Sequence, residues 1–314
     1  MTRRIAVIGA GFIGRAWAIV FARAGCSVAL HDPDTATLER APRALDVALA
    51  DIHAAGLVTE SPPVIAARIE IVEDVVAALA GAEYAQECGP EDVALKREIF
   101  ATLDAAATAD TVLASSTSGI VASRFVGHLR NPGRCLVAHP VNPPYLIPLV
   151  EVAPAPQTNP EVTERTMALM AAVGQSPILV RREVDGFILN RLQGALLNEA
   201  LRLYRDGYAS VEDIDRAVRD GLGRRWAFMG PMETIDLNAP GGAADYARRY
   251  GPIYSAADAR RDIHPWQPDV IDRLDAELRA ARPLSALDER REWRDRRLMA
   301  LAAHLAQAEG ASRD

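Results

Sequence analysis

The chain has 314 residues, 49% of them apolar and 25% charged, with a formal net charge of −7. That length holds a full core and points to two domains, and the balance is that of a soluble globular protein. A net negative chain with no basic stripe, no bilayer-length apolar run and no signal-type opening argues against nucleic-acid and membrane roles and for a cytoplasmic location.

Taken in order, Arg4 to Ile8 reads as a strand, Gly9-Ala10-Gly11-Phe12-Ile13-Gly14 follows, and a helix-forming stretch runs on to Ala24. Further strands fit near 27–31, 83–87, 111–115, 134–138, 147–152 and 177–181. Helical segments fit at 12–24, 34–55, 92–107 and 160–173. Strands alternating with helices of that length predict βαβ units and a mainly parallel sheet. After Asp185-Gly186 the strand signal stops, and Phe187 to Asp206 carries Ile188, Leu192, Leu196, Ala200 and Leu203 at helical spacing. Ser210 reads as a helix start, and 284–309 as a long charged helix or a pair of helices. The expected fold class is α/β: a Rossmann-type sheet domain over 1–183, then an all-α domain over 184–314.

The glycine pattern lies where a dinucleotide site requires it, after a strand and at the opening of a helix. Gly9 allows the tight turn, Gly11 lets the backbone approach a pyrophosphate, and Gly14 lets helix and strand pack closely. Phe12 and Ile13 open a helix whose free N–H groups and positive dipole end favour phosphate. Asp32 closes the second strand, where a carboxylate accepts from ribose hydroxyls and repels the extra phosphate of NADP, so NAD is the expected cofactor. The cysteines Cys26, Cys88 and Cys135 lie in or beside apolar stretches without metal-ligand spacing. They read as reduced core thiols, and no metal is expected.

His139 leaves the apolar run 135–138, and prolines stop the strand there. Twelve residues on, Glu151 is a lone carboxylate inside a second apolar run, 147–152. Read alone, the two suit a catalytic base and its orienter, or a hydrogen-bonded core histidine beside an unrelated strand glutamate.

These motifs, with Ser115-Ser116-Thr117-Ser118 and Asp185-Gly186-Phe187-Ile188-Leu189-Asn190-Arg191 in order, make the chain resemble the 3-hydroxyacyl-CoA dehydrogenase family over nearly its whole length. The phrases from Ala138 to Tyr145, Gly221 to Phe228 and Arg290 to Asp295 look closest to its L-gulonate 3-dehydrogenase and lambda-crystallin branch, and L-carnitine dehydrogenases share several of them. The resemblance implies that His139 is the catalytic base and Glu151 its partner. It implies that Ser118 and Asn190 contact the reacting oxygen, and that Asn142 shapes the site and meets the nicotinamide. It sets Glu87 and Lys96 near the cofactor, and it implies a homodimer, assigning substrate binding and dimerisation to the domain over 184–314. As bland alternatives, Ser118 suits a helix N-cap, Asn190 a solvent-facing helix position and Lys96 a solvated one. Acyl-CoA members commonly carry lysines in the helix after the second strand, but here Leu45 to Ile69 has no lysine and only Arg68. An arginine fork suits a carboxylate, so Arg225 is expected to bind the carboxylate of a small hydroxy acid, or else to pack on Trp226. The expected reaction is NAD-dependent oxidation of the 3-hydroxyl of such an acid, L-gulonate first, with 3-hydroxybutyryl-CoA and L-carnitine as alternatives. A crystallin-like NAD-binding protein without turnover is the non-enzyme alternative.

Overall fold

The computed structural model describes residues 3–258, 268–281 and 283–311. The chain divides into two compact units, Met1–Arg191 with Glu289–Asp314, and Leu192–Asp288. The first is built on one sheet of eight strands: β1 (Arg4–Ile8), β2 (Ser27–His31), β3 (Ile69–Ile71), β4 (Tyr84–Glu87), β5 (Val112–Ser115), β6 (Cys135–Pro140), β7 (Leu149–Pro154) and β8 (Ser176–Leu179). They lie in the order β3-β2-β1-β4-β5-β6-β7-β8. Every neighbouring pair is parallel except β6 and β7.

The sheet is covered on both faces, which is why its strands are near-continuous apolar runs. In β1, Ile5 and Val7 enter one core, with Trp17 and Phe21, and Ala6 and Ile8 enter the other, with Phe100 and Phe125. Helix α1 (Phe12–Arg23) buries Trp17, Ala18, Phe21 and Ala22, and the Trp17 and Phe21 rings stack at 5.2 Å. Helix α2 (Thr35–Ala54) starts on Asp34, whose carboxylate accepts from Ala36 N and so replaces a missing helical acceptor. Helices Val93–Ala106 and Pro160–Ala172 complete those expected before residue 174.

Seven strands fall within two residues of their expected positions. β3 was not expected: three residues at the sheet edge, largely exposed, offer no alternation to read. The short helices Pro62–Ala66, Val75–Leu79 and Ser123–Val126 were also missed. One correction matters for the site. β6 does not stop before the histidine but pairs through it, matching His139 with Glu151 and Pro140 with Val150. Pro140 sits at the last position of the strand, where its missing donor is tolerated.

The second unit is helical. Its segments are the greater part of Leu189–Arg205, then Val211–Arg216, a π-helical turn Ala217–Leu222, Gly223–Trp226, Pro231–Leu237, Gly242–Asp258 and Pro268–Ala281. Ser210 does cap its helix, accepting from Asp213 N. Among the described residues of this unit, only Leu201, Thr234 and Val270 are buried. The closing segment is one long helix, Leu287–Ala311, after a single turn at Leu284–Ala286.

Candidate active site

The glycine loop has the geometry of a dinucleotide cradle. Gly9 has φ +109°, and a Cβ there would lie 2.8 Å from Cys88 O, so both conformation and space demand glycine. A Cβ on Gly14 would fall 1.7 Å from Gly9 O, which is the close helix-to-strand packing expected of it. At Gly11 a Cβ would meet nothing within 4 Å, leaving open space beside the backbone. Arg15 N is the first to bond back into α1, to Gly11 O, and no side chain caps the helix. The N–H groups before it, including those of Phe12 and Ile13, have no helical acceptor and suit phosphate oxygens. Asp32 stands at the end of β2, with Oδ2 accepting from Ala10 N at 2.7 Å and Oδ1 from Asp34 N at 2.9 Å. It therefore ties the glycine loop to the end of β2. Asp32→Ala is expected to raise the KM for NAD roughly 10- to 100-fold, the worth of a charged hydrogen bond, and to narrow the preference over NADP. Initial rates with both coenzymes check this.

The histidine and glutamate face each other across the single antiparallel pair. His139 Nδ1 and Glu151 Oε2 are 2.8 Å apart, with the histidine 5% exposed and the glutamate fully buried. Glu151 Oε1 accepts from Ile188 N and Leu189 N, at 2.8 and 2.9 Å. Burial works against ionisation of Glu151, yet the His139 ring and the Leu189 and Ile188 N–H groups outweigh it, holding the carboxyl below its ordinary range. An ionised Glu151 fixes the proton on Nδ1 and leaves Nε2 as the ring's free acceptor. The same carboxylate anchors the start of the Leu189–Arg205 helix, where a negative charge is favoured. Phe187 makes this anchorage possible. It adopts φ +50°, is fully buried, and packs its ring 5.5 Å from that of His139. A left-handed phenylalanine next to Gly186 turns the chain so that two successive N–H groups meet Glu151. The sequence reading missed this role.

The four successive hydroxyls that start at the last residue of β5 have four different fates. Ser115 Oγ donates to Glu87, and Ser116 Oγ accepts from Trp17 Nε1 and Gln86 Nε2. Thr117 Oγ1 donates to Glu91. Ser118 is exposed, and its hydroxyl has no partner among the described residues. It is not a helix cap, since the next helix begins at Ser123 with Ala122 before it. Asn190 is half-buried rather than solvent-facing, and its Nδ2 donates to Ser118 O at 2.6 Å. Ser118, Asn190, His139 and Glu151 thus form one connected cluster through Ser118 O and the helix that Glu151 anchors. Asn142 is exposed in the loop beyond Pro140.

Glu87 and Lys96 form a fully enclosed ion pair, Nζ lying 3.1 and 3.0 Å from the two carboxylate oxygens. Gly89 N and Ser115 Oγ complete the carboxylate's shell. This rules out a solvated Lys96: both groups are enclosed by the sheet domain. Glu91, four residues later and exposed, is the carboxylate that meets the serine loop. Its Oε1 accepts from Thr117 Oγ1, Ser118 N and Gly119 N at 2.6, 3.1 and 2.9 Å. Its place between Pro90 and the helix cap Asp92 was the available signal.

Arg225 belongs to the second unit, exposed, in the short helix that follows the π-helical turn. It does not stack on Trp226: the cation–π pairs among the described residues are Arg273 with Tyr204 and Arg297 with Trp293. Among the described residues, no group of three or more His, Cys, Asp or Glu could hold a metal ion, and no helix is long and apolar enough to cross a membrane. Burial pushes the Cys88 and Cys135 thiols up to about 12, which keeps them protonated and unreactive.

The NAD-binding domain model of 3-hydroxyacyl-CoA dehydrogenase matches residues 4–184, and that family's C-terminal domain model matches 186–277. A lambda-crystallin homolog of Bos taurus is 41% identical over 320 residues, covering 95% of this chain and 94% of the relative. An L-carnitine dehydrogenase of Streptomyces griseus is 41% identical, covering 88% of this chain and 79% of its own. Among solved structures, an NAD-dependent dismutase, 5-formyl-3-hydroxy-2-methylpyridine 4-carboxylic acid 5-dehydrogenase, superposes with a TM-score of 0.82 at 29% identity, over 99% of both chains. With a dinucleotide cradle, a buried histidine–carboxylate pair and these matches, the chain belongs to the 3-hydroxyacyl-CoA dehydrogenase family of NAD-dependent enzymes.

Proposed function

We propose that the protein oxidises the 3-hydroxyl of a small hydroxy carboxylic acid with NAD, L-gulonate being the first candidate. His139 Nε2 takes the hydroxyl proton, and Glu151 holds the imidazole in the right tautomer and stabilises the imidazolium. Bound NAD supplies the hydride acceptor. The Ser118 hydroxyl is free to hydrogen-bond the reacting oxygen, Asn190 fixes the Ser118 backbone, and Asn142 and Glu91 line the coenzyme side. Glu91 replaces Glu87 in that role, and Lys96 supports the loop from within.

The observation that carries the small-acid reading is the fate of Arg68. It is the one arginine between Leu45 and Ile69, and its guanidinium is held by Glu60 through two hydrogen bonds of 2.6 Å. No lysine or unpaired arginine of that stretch is left for the phosphates of a coenzyme A ester, whereas Arg225 has no carboxylate partner among the described residues. The connected dyad favours turnover over a purely structural role. NADH formation with L-gulonate, L-carnitine and 3-hydroxybutyryl-CoA side by side tests the reading. Preference for L-gulonate is expected, and preference for the CoA ester overturns it. L-carnitine stays in the comparison because an L-carnitine dehydrogenase is among the relatives and Trp226 and Phe228 are exposed aromatics suited to a quaternary ammonium.

Arg225→Met is expected to raise the KM for the hydroxy acid roughly 10- to 100-fold, as loss of a charge-assisted hydrogen bond does, and to spare the KM for NAD. An unchanged substrate KM would remove Arg225 from the site. The helical region is also proposed to form a homodimer in the cytoplasm. Leu192, Leu197, Tyr208, Phe228, Met232 and Leu237 are all exposed, and a helical unit with so few buried residues lacks an apolar core of its own.

A further inference from the structure

The first unit contains a cavity of about 940 Å³, and none of its lining residues belongs to the catalytic cluster. Its size is that of a small-molecule site. One wall is residues 144–148, the connection between the strand carrying His139 and the strand carrying Glu151. Another is the closing helix, through Leu298, Leu301 and Leu305. Leu301 is 42% exposed there, an uncovered apolar side chain on the cavity surface.

The polar groups on this lining are few, and they differ in charge balance. Glu60 is neutralised by its two bonds to Arg68. Arg23, the last residue of α1, is not. Its Nη1 donates to Tyr145 O at 2.8 Å, and among the described residues no carboxylate pairs with it. Burial pulls its pKa down with no anion acting against the shift. A half-buried guanidinium without a counter-ion beside an apolar wall calls for an anion that brings its own alkyl chain. From Leu298 to Leu305 the helix rises by about 10 Å, which a medium-length chain spans.

We propose that this cavity binds a medium-chain fatty carboxylate, its head group on Arg23 and its alkyl chain along Leu298, Leu301 and Leu305. The site is independent of the substrate reading above. Calorimetric titration of decanoate into the full-length protein tests it, with decanol as the uncharged probe. Saturable binding is expected at one molecule per chain, weakened by about tenfold or more for decanol and in Arg23→Met, the loss of one charge-assisted hydrogen bond. Leu301→Asp sets a carboxylate against the tail and is expected to weaken decanoate at least as much. Because Leu301 is exposed, that variant should fold and bind NAD as before. Absent binding, affinity unchanged in either variant, or displacement of decanoate by NAD or the hydroxy acid would overturn the proposal. So would a Leu301→Asp variant that separated an oligomer without changing decanoate affinity, since the groove would then be an interface between copies.

Discussion

Exchanging His139 for glutamine is expected to lower kcat by about 10²–10⁴, the usual worth of a positioned general base, and to leave NAD affinity unchanged. The ring has one nitrogen committed to Glu151 and the other free, so the loss falls on proton removal and not on coenzyme binding. Glu151→Gln should produce a rate defect of the same order, because the amide no longer selects the Nδ1–H tautomer. The double variant should be little worse than either single one, since both changes disable one unit. Near-additive losses in steady-state kinetics would show that the two residues act separately.

Glu151→Gln carries a second signature, in stability against pH. The folded-state pKa of Glu151 is depressed, so its stabilisation is present above the unfolded carboxyl value of about 4.3 and disappears as pH falls through the folded value. The variant should therefore lose stability at neutral pH and show a shallower decline on the acid side. Urea midpoints measured from neutral to acid pH would show this. Parallel curves for the two proteins would contradict the ionised, hydrogen-bonded Glu151.

Much of the fold was legible because its signals are short-range. A glycine pattern between a strand and a helix, and apolar runs separated by helical stretches, need no knowledge of distant contacts. The site was legible in its residue types but not in its connections. Four successive hydroxyls at 115–118 look alike in sequence, and only the partners that strands β4 and β5 bring close leave Ser118 free. Glu87 and Glu91 are likewise two carboxylates beside one loop. Burial against Lys96 separates them, and burial is a property of the assembled sheet. His139 was read as leaving its strand because a proline follows it. Its pairing with Glu151 depends on β7 running antiparallel, which spacing along the chain does not specify. Phe187 was hidden for another reason: an aromatic residue at positive φ breaks a local rule, and such exceptions are held in place by tertiary structure.

Lys96→Met is expected to be the most destabilising single change in the sheet domain, by about 3–5 kcal/mol. The only lysine in the chain is 1% exposed and faces a fully buried Glu87. Removing it leaves a carboxylate whose remaining donors are one backbone N–H and one serine hydroxyl, in a place water does not reach. The two partners are not equivalent in what their loss exposes. Glu87→Gln leaves a buried ammonium, whose flexible stem can carry it toward solvent, so its cost should be smaller. The double variant, Lys96→Met with Glu87→Gln, removes both charges and should recover much of the loss, because the amide oxygen still accepts from Gly89 N while its NH2 donates to a Ser115 hydroxyl turned to accept. In thermal unfolding the single Lys96→Met change corresponds to a fall in Tm of about 6–20 °C for a domain of this size. Since Glu87 also holds Ser115, and Ser115 opens the loop that ends in Ser118, the loss should extend to the site. The KM for NAD and for the hydroxy acid should both rise in the surviving folded protein. A Lys96→Met protein with wild-type Tm would mean that the pair contributes no net stability and that the carboxylate is protonated or solvated instead.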